Sequence, residues 1–324
     1  MLNRMFSIYC DSLIEAEWFQ NLSEKFKDSK IIKIKERSKN NNVIEDLIKY
    51  DRPDIILTKK EKALLVVEKM REVPTGHNVG QRMARIVRAS ELQIPCIYFF
   101  PYRARKHGKH TSICNVNARL FFAINKINEI HKCSTIAVNW PADSNGELVG
   151  DEKKDLELRE IISNLISCSF DKDNNIFNKL KKNNTKSYEE AVKTKSQYTQ
   201  PPGSVKIILT KSILNQKKIK RVLNNDDVKK LKKYKESCVY TIAMTKESCK
   251  RQDPYTGTQF IYEYSYCRVG TQVENREKNL ILNFPLLKKD YFLSQNTNNP
   301  NTKSSNWYLI ANAFLFKDGI HIIR

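Results

Sequence analysis

The stretch Arg52-Pro-Asp-Ile-Ile-Leu57, followed by Leu64-Leu-Val-Val-Glu-Lys69, decides the fold of this chain. Each half contains an apolar run of strand length, and the charged residues 59–62 between them predict a turn. A helix does not continue into the first run, because a residue that precedes proline avoids the helical region. The two runs therefore predict a β-hairpin whose open ends carry Asp54 and Glu68.

Helical and strand-like patterns extend on both sides of this hairpin. Apolar residues at helical spacing alternate with short apolar runs, which predicts a mixed central sheet flanked by helices. The predicted helices lie at about 13–26, 43–48, 81–92 and 117–130, and the predicted strands at 31–34, 54–57, 63–68, 95–100 and 134–140.

The composition shifts along the chain in a way that predicts three segments. Residues 1–170 carry the α/β pattern, and residues 171–202 are polar and end in Gln-Pro-Pro-Gly, which predicts a connecting segment. Residues 203–324 combine the most basic stretch of the chain with aromatic strand-like runs. We expect this strand-containing C-terminal half to serve in DNA recognition.

The charge balance predicts a polyanionic partner. Lys and Arg outnumber Asp and Glu by 57 to 36, giving a formal net charge of +21, and cations that neutralise phosphates release condensed counterions. A Lys- and Asn-rich composition is the alternative source of this surplus. No apolar run approaches the roughly 18 residues of a membrane-spanning helix, and the N-terminus does not have the pattern of a signal peptide. We therefore expect no membrane partner and a cytoplasmic location.

The eight cysteines are scattered and form no C-x-x-C pair. Several lie in apolar strand-like runs, which favours buried, reduced thiols over a zinc site or a disulfide framework.

Asp54 and Glu68 are the residues whose chemistry stands out. If the hairpin forms, both carboxylates lie at the same sheet edge, where their like charges repel unless a cation offsets them. Mg²⁺ typically binds one or two carboxylates and keeps water molecules for a substrate phosphate. Such an ion polarises a phosphodiester and lowers the pKa of an attacking water.

Pro53-Asp54 and Glu68, with thirteen residues between the two acids, resemble the motif of the PD-(D/E)xK nuclease superfamily, which includes many type II restriction endonucleases. The order of a helix, a hairpin, a helix and a strand is also similar to the core of that superfamily over about residues 10–140. The resemblance implies a restriction-endonuclease-like core in which Asp54 and Glu68 bind the metal. A helix near Gln81 resembles the one behind the active site in that superfamily, where some members place a glutamine.

The chain departs from this motif at Met70, where the pattern has a lysine two residues after the glutamate. Three alternatives remain open. In the first, the missing charge comes from Lys69 at a bulge or from the helix cations Arg82 and Arg85. In the second, the site is a variant that works without a lysine. In the third, the site is inactive. Strand alternation predicts that Lys69 points to the other face.

Further polar residues follow the strands at the same predicted edge. His77 and Gln81 are candidate catalytic residues beside Asp54, Glu68 and Lys69, although a loop histidine bonded to backbone and a solvated helix face are the alternatives. Cations at a helix start and in loops are suited to phosphate contacts. Alternation places Tyr262, Tyr264 and Tyr266 on one strand face, which is either a DNA-reading surface or a half-buried aromatic face. The candidate DNA-binding residues are Arg82, Arg85, Arg103, Arg105, Lys106, Lys109, Arg251 and Tyr255.

These observations together predict a Mg²⁺-dependent endonuclease that cleaves double-stranded DNA, as a type II restriction enzyme. The resemblance implies a homodimer, since such enzymes commonly act on palindromic sites with two-fold symmetry. A repair or recombination nuclease of the same superfamily is one alternative. A non-catalytic nucleic-acid-binding protein, in which Asp54 and Glu68 are structural, is the other.

Overall fold

The computed structural model describes most of the chain, with gaps at both termini and at internal segments. The described residues are 6–36, 42–60, 62–74, 77–105, 112–116, 118–131, 133–170, 178–179, 182, 204–250, 278–297 and 311–323. Within them, no helix is long and apolar enough to cross a membrane.

The chain divides into two compact units. The first comprises Met1–Thr75 and Arg85–Tyr198, and the second comprises Gly76–Ala84 and Thr199–Arg324. The predicted connecting segment 171–202 lies, apart from residues 178, 179 and 182, outside the described residues.

The first unit is built on a six-stranded mixed sheet and a separate two-stranded ribbon. The strands of the sheet are β1 (Ser7–Cys10), β2 (Lys30–Lys33), β3 (Ile55–Lys59), β4 (Lys62–Lys69), β5 (Cys96–Phe100) and β8 (Thr135–Asn139), and the ribbon consists of β6 (Arg103–Arg105) and β7 (Ile113–Asn115). The strand order in the sheet is β2-β1-β3-β4-β5-β8. Strand β1 is parallel to β2 and antiparallel to β3, whereas β4, β5 and β8 run parallel to one another.

The predicted hairpin is the antiparallel pair β3–β4, in which Ile55 faces Val67 across the ladder. A bulge interrupts the register between Leu57 and Thr58, and Lys60 adopts a positive φ of 48° at the turn. Since the ladder is regular beyond the bulge, Asp54 and Glu68 end at the same edge of the sheet, as the sequence predicts.

Four helices lie near the places that the apolar spacing predicts: α1 (Leu13–Gln20), α2 (Asn42–Leu47), α3 (His77–Glu91) and α4 (Ala118–His131). Helix α3 begins four residues before the predicted start, so His77 lies on a helix and not in a loop, and only residues 85–91 of α3 belong to the first unit. Helices α5 (Asp151–Lys154) and α6 (Leu156–Ser167) were not predicted, and 3₁₀ turns lie at Glu24–Phe26 and Ile34–Glu36. The first helix is shorter than predicted: it ends at Gln20, and the backbone N–H of the C-cap residue Asn21 donates to the Glu17 carbonyl. The apolar spacing continues into the 3₁₀ turn that buries Phe26.

One apolar core of the first unit covers one face of the six-stranded sheet. Leu65 and Val67 of β4 face this core, together with Phe99 of β5 and residues of α1 and α6. Because strand side chains alternate between faces, Glu68 and Met70 point to the opposite face.

The second unit contains a five-stranded mixed sheet with its own apolar core. Its described elements are β9 (Ser204–Leu209), α7 (Thr210–Leu214), α8 (Lys217–Lys220), α9 (Asn225–Lys232), β10 (Glu236–Thr241), α10 (Lys246–Lys250), β11 (Asn279–Phe284), α11 (Lys289–Thr297), β12 (Ala313–Phe316) and β13 (Ile320–Ile322). The strand order is β13-β12-β11-β10-β9. The expected α/β class with helix-flanked mixed sheets is therefore confirmed, and the basic stretch that begins at Gln216 is helical.

Candidate functional site

Asp54 and Glu68 meet at the open end of the hairpin. The backbone N–H of Asp54 donates to Glu68 Oε1 at 3.2 Å, and the backbone N–H of Lys69 donates to Asp54 Oδ2 at 2.8 Å. Asp54 is 6% exposed and Glu68 is fully buried. One oxygen of each carboxylate is thus held by a backbone donor, which fixes the direction of the other oxygen.

Both remaining oxygens point to the same nitrogen of Arg85, which lies on α3. Arg85 Nη1 is 2.9 Å from Asp54 Oδ1 and 2.9 Å from Glu68 Oε2. The two carboxylate oxygens are therefore no farther apart than twice that distance, and both face the same cationic nitrogen. Arg85 Nε donates to Asp51 Oδ2 at 3.0 Å, so a third carboxylate holds the guanidinium.

Three carboxylates contact the guanidinium of Arg85, and their charges act on its pKa. Burial by itself lowers the pKa of Arg85, but the charges of Glu68, Asp51 and Asp54 outweigh it and raise the pKa. The same field reaches Cys96, whose thiol pKa is raised well above its usual value by burial first and by Glu68 next.

The donor set has the chemistry that Mg²⁺ prefers, namely carboxylate oxygens that converge from two positions. Asp54 and Glu68 are the residues that would hold the ion. Among the described residues, no group of three or more His, Cys, Asp or Glu side chains could hold a metal ion. The two oxygens of Asp54 and Glu68 converge on the position that Arg85 Nη1 occupies in this structure, so Mg²⁺ would have to replace this nitrogen.

Lys69 does not contribute its side chain to this cluster. Its ammonium lies on the other face of the sheet, 4.0 Å from the ring centroid of Trp18 and 5.6 Å from that of Trp140. Burial, followed by the charge of Lys154, lowers the pKa of Lys69. The sequence predicts this orientation from strand alternation; the alternative of a bulge at Lys69 is not observed, because β4 and β5 pair without a shift through this residue.

Met70 lies on the face of Glu68 and is buried. The Tyr98 hydroxyl donates to its sulfur at 3.4 Å. The position that carries lysine in the nuclease motif is thus filled by a neutral side chain with a tyrosine partner. The cation beside the carboxylates comes from α3, in agreement with the alternative in which Arg85 supplies the missing charge.

Asp51 is the residue of this cluster that the sequence did not single out. Its signal is weak, because an aspartate in a polar loop is ordinarily a solvated surface residue. Only the position of Arg85 gives it a role, and that position depends on how α3 packs on the sheet.

The remaining candidate residues are distributed over other elements. His77, Gln81 and Arg82 all belong to α3; the side chains of the first two are not among those that the structure describes, and that of Arg82 is half-buried. Arg103 and Arg105 are exposed at alternate positions of β6, and Arg105 Nε pairs with Glu147 at 3.4 Å. Lys106, Lys109, Arg251 and Tyr255 lie outside the described residues, as do Tyr262, Tyr264 and Tyr266.

The cysteines agree with the expectation of buried thiols. All seven that the structure describes are free, and five of them are buried: Cys10, Cys96, Cys133, Cys238 and Cys249.

Comparisons with known proteins give no assignment: no family model, curated protein or solved structure matches this chain.

Proposed function

We propose that this protein is a Mg²⁺-dependent endonuclease that hydrolyses phosphodiester bonds of double-stranded DNA, acting as a type II restriction enzyme. One observation carries the proposal: Asp54 and Glu68 direct one oxygen each to a common point, the Nη1 atom of Arg85. The hairpin, the helix α3 and the parallel strand β5 that surround these acids support it, because they follow the order that the sequence resemblance implies.

Each residue of the cluster has a separate task in this proposal. Asp54 and Glu68 would hold Mg²⁺, which when bound polarises a phosphodiester and lowers the pKa of a water. Arg85 leaves the point between the acids and stays tethered through Asp51, where its guanidinium can donate to a phosphate oxygen. The backbone N–H of Lys69 keeps Asp54 aligned.

Cleavage of plasmid DNA tests the proposal. We expect the protein to cut plasmid into discrete fragments in Mg²⁺, and not in EDTA. Asp54→Asn should lower the rate by a hundredfold or more, on the order of what a lost electrostatic group costs, because it removes a metal-binding charge. Asp28→Asn, at an exposed position, is the matched control and should cut like the natural protein. Full activity of Asp54→Asn would refute the proposed site.

The fragments also separate the two nuclease alternatives. A restriction enzyme produces the same fragment ends from every molecule of a sequenced DNA, whereas a repair or recombination nuclease cuts at ends, nicks or branched structures. The proposed homodimer is tested by sedimentation with and without duplex DNA. A monomer that cuts both strands at one site would contradict the dimer but not the nuclease.

A second candidate function is non-catalytic binding of nucleic acid. The observation that favours it is Arg85 Nη1, which already bridges the two acids as a structural ion pair does. Helices α8 and α9 and the turns that follow them are rich in basic residues, which suit contacts with phosphates. These residues are Lys217, Lys218, Lys220, Arg221, Lys229, Lys230, Lys232 and Lys233. Salt-sensitive DNA binding without cleavage in Mg²⁺ or Mn²⁺ would select this function.

A further inference from the structure

A second charged cluster lies at the same sheet edge, on the face opposite to Glu68. Trp18, Phe99 and Trp140 form three nearly parallel rings: Phe99 stacks on Trp18 with centroids 5.8 Å apart and on Trp140 with centroids 5.3 Å apart. The ammonium groups of Lys69 and Lys154 lie 5.6 Å and 5.7 Å from the centroid of the Trp140 ring. The ammonium groups of Lys69 and Lys154 therefore both contact the Trp140 ring of this aromatic stack.

One carboxylate compensates this pair of lysines in part. Asp155 Oδ2 lies 3.3 Å from Lys154 Nζ, and both oxygens of Asp155 accept from Trp18 Nε1 at 3.1 Å. Both residues of the ion pair are 3% exposed. The carboxylate is thus committed to Lys154 and Trp18, and this pairing anchors the start of α6 against α1.

The Lys69 ammonium is differently placed. Within the described residues it has cation–π contacts but no carboxylate at ion-pair distance. The charged groups that act on it are Lys154 and Arg71, which repel it, and Glu15 and Asp155, which attract it. An ammonium has three hydrogen-bond donors, and aromatic faces satisfy only its charge.

We propose that the Lys69 ammonium, with the charge of Lys154 behind it, binds a phosphate group of a nucleic-acid strand. The location supports this ligand: Lys69 follows Glu68 directly, roughly 3.3 Å along the same strand and on the opposite face. Its own backbone N–H holds Asp54. A phosphate at the Lys69 site therefore lies at the same sheet edge as the carboxylates but on the opposite face, so a strand that reaches both sites passes around this edge. This inference rests on the proposed function for its ligand.

Tryptophan fluorescence gives a direct readout, since two of the three tryptophans of the chain belong to the cluster. The test titrates the full-length protein in EDTA with inorganic phosphate, against chloride at equal ionic strength. We expect a saturable change with phosphate alone. Lys69→Met should weaken the apparent affinity by about tenfold or more, whereas Lys69→Arg should keep most of it because the charge remains over Trp18.

Lys59→Met is the matched control, because Lys59 also lies over an aromatic ring, that of Phe6 at 5.7 Å, but at the other end of the hairpin. It should bind phosphate like the natural protein. Thermal unfolding provides the second measurement: phosphate should raise the midpoint of the natural protein and of Lys59→Met, but not that of Lys69→Met. If Lys69→Met does not fold, Lys69→Gln takes its place in both measurements.

The results separate this site from the nuclease. An absent or linear response to phosphate, or equal binding by Lys69→Met, overturns the Lys69 site even if plasmid is cut. A saturable response that depends on Lys69 supports the site even if no cleavage is found in Mg²⁺. When both hold, Lys69→Met should also weaken the binding of duplex DNA in EDTA, and Lys59→Met should not.

Discussion

Arg85 Nη1 lies 2.9 Å from Glu68 Oε2, a carboxylate oxygen of a side chain that solvent does not reach. A buried carboxylate needs a cation, and here α3 supplies it from the neighbouring layer. The same nitrogen contacts Asp54, so the point at which both acids converge carries a protein cation. In the proposed enzyme this contact has to open, which makes Arg85 the residue whose replacement is most informative.

Replacing Arg85 by Met should destabilise the protein by about 3–5 kcal/mol, because a buried ion pair that loses one partner leaves its carboxylates uncompensated. Added Mg²⁺ should then raise the unfolding midpoint of Arg85→Met more than that of the natural protein, since the ion no longer competes with a guanidinium. Thermal unfolding in Mg²⁺ and in EDTA measures both effects. A variant that is stable in EDTA and indifferent to Mg²⁺ would contradict these roles of Arg85.

Substitutions of Asp51 and Glu68 should differ in their effect on the rate of DNA cleavage. Asp51 holds Arg85 through Nε but does not face the point between the acids. Asp51→Asn should lower the free energy of unfolding by about 1–3 kcal/mol, the range for a hydrogen bond to a charged group, and leave the cleavage rate within about tenfold. Glu68→Gln should abolish cleavage. Equal losses in the two variants would assign Asp51 to the metal-binding group.

The exposed arginines of β6 should contribute unequally to DNA binding. Arg105 shares its guanidinium with Glu147, whereas no such ion pair involves Arg103 in the described part of the chain. If Arg103 contacts a phosphate, Arg103→Ala should reduce the slope of log affinity against log salt by about 0.9, and Arg105→Ala by less. Fluorescence anisotropy with labelled duplex DNA measures the slopes. Lys27→Ala, an exposed lysine paired with Glu24, is the control and should leave the slope unchanged.

The thiols should react in an order set by burial and by pKa. Burial raises the pKa of Cys249 to about 11 and also raises the pKa of Cys10 and Cys96. Because the thiolate is the reactive form, a raised pKa means that these groups stay protonated near pH 8, below their pKa. Cys114 and Cys168 are only partly buried and should be alkylated first by iodoacetamide. Mass spectrometry of the native protein gives the order, and early alkylation of Cys96 would contradict it.

Local patterns in the sequence were sufficient for the hairpin, for four of the helices near the first sheet and for the meeting of the two acids, but not for β1, α5 and α6 or for the start of α3 at His77. Two apolar runs of strand length with a charged turn between them specify a hairpin. An antiparallel pair brings its open ends together, so Asp54 and Glu68 had to be neighbours once the hairpin formed. The opposite orientation of Lys69 follows from the same alternation. The first helix was overestimated because its apolar spacing continues into the 3₁₀ turn that ends at Phe26.

Only the tertiary structure decided what surrounds these residues. Arg85 is 17 positions from Glu68, and its contact with both acids depends on how α3 packs against the sheet. The partners of Lys69 come from still farther away: Trp18 lies on α1, and Trp140 follows β8. The spacing of apolar residues predicts which face of a single helix or strand is buried. These contacts instead arise when several helices and strands pack into one core. For that reason the sequence by itself determined the two acids, and packing determined which cation stands between them.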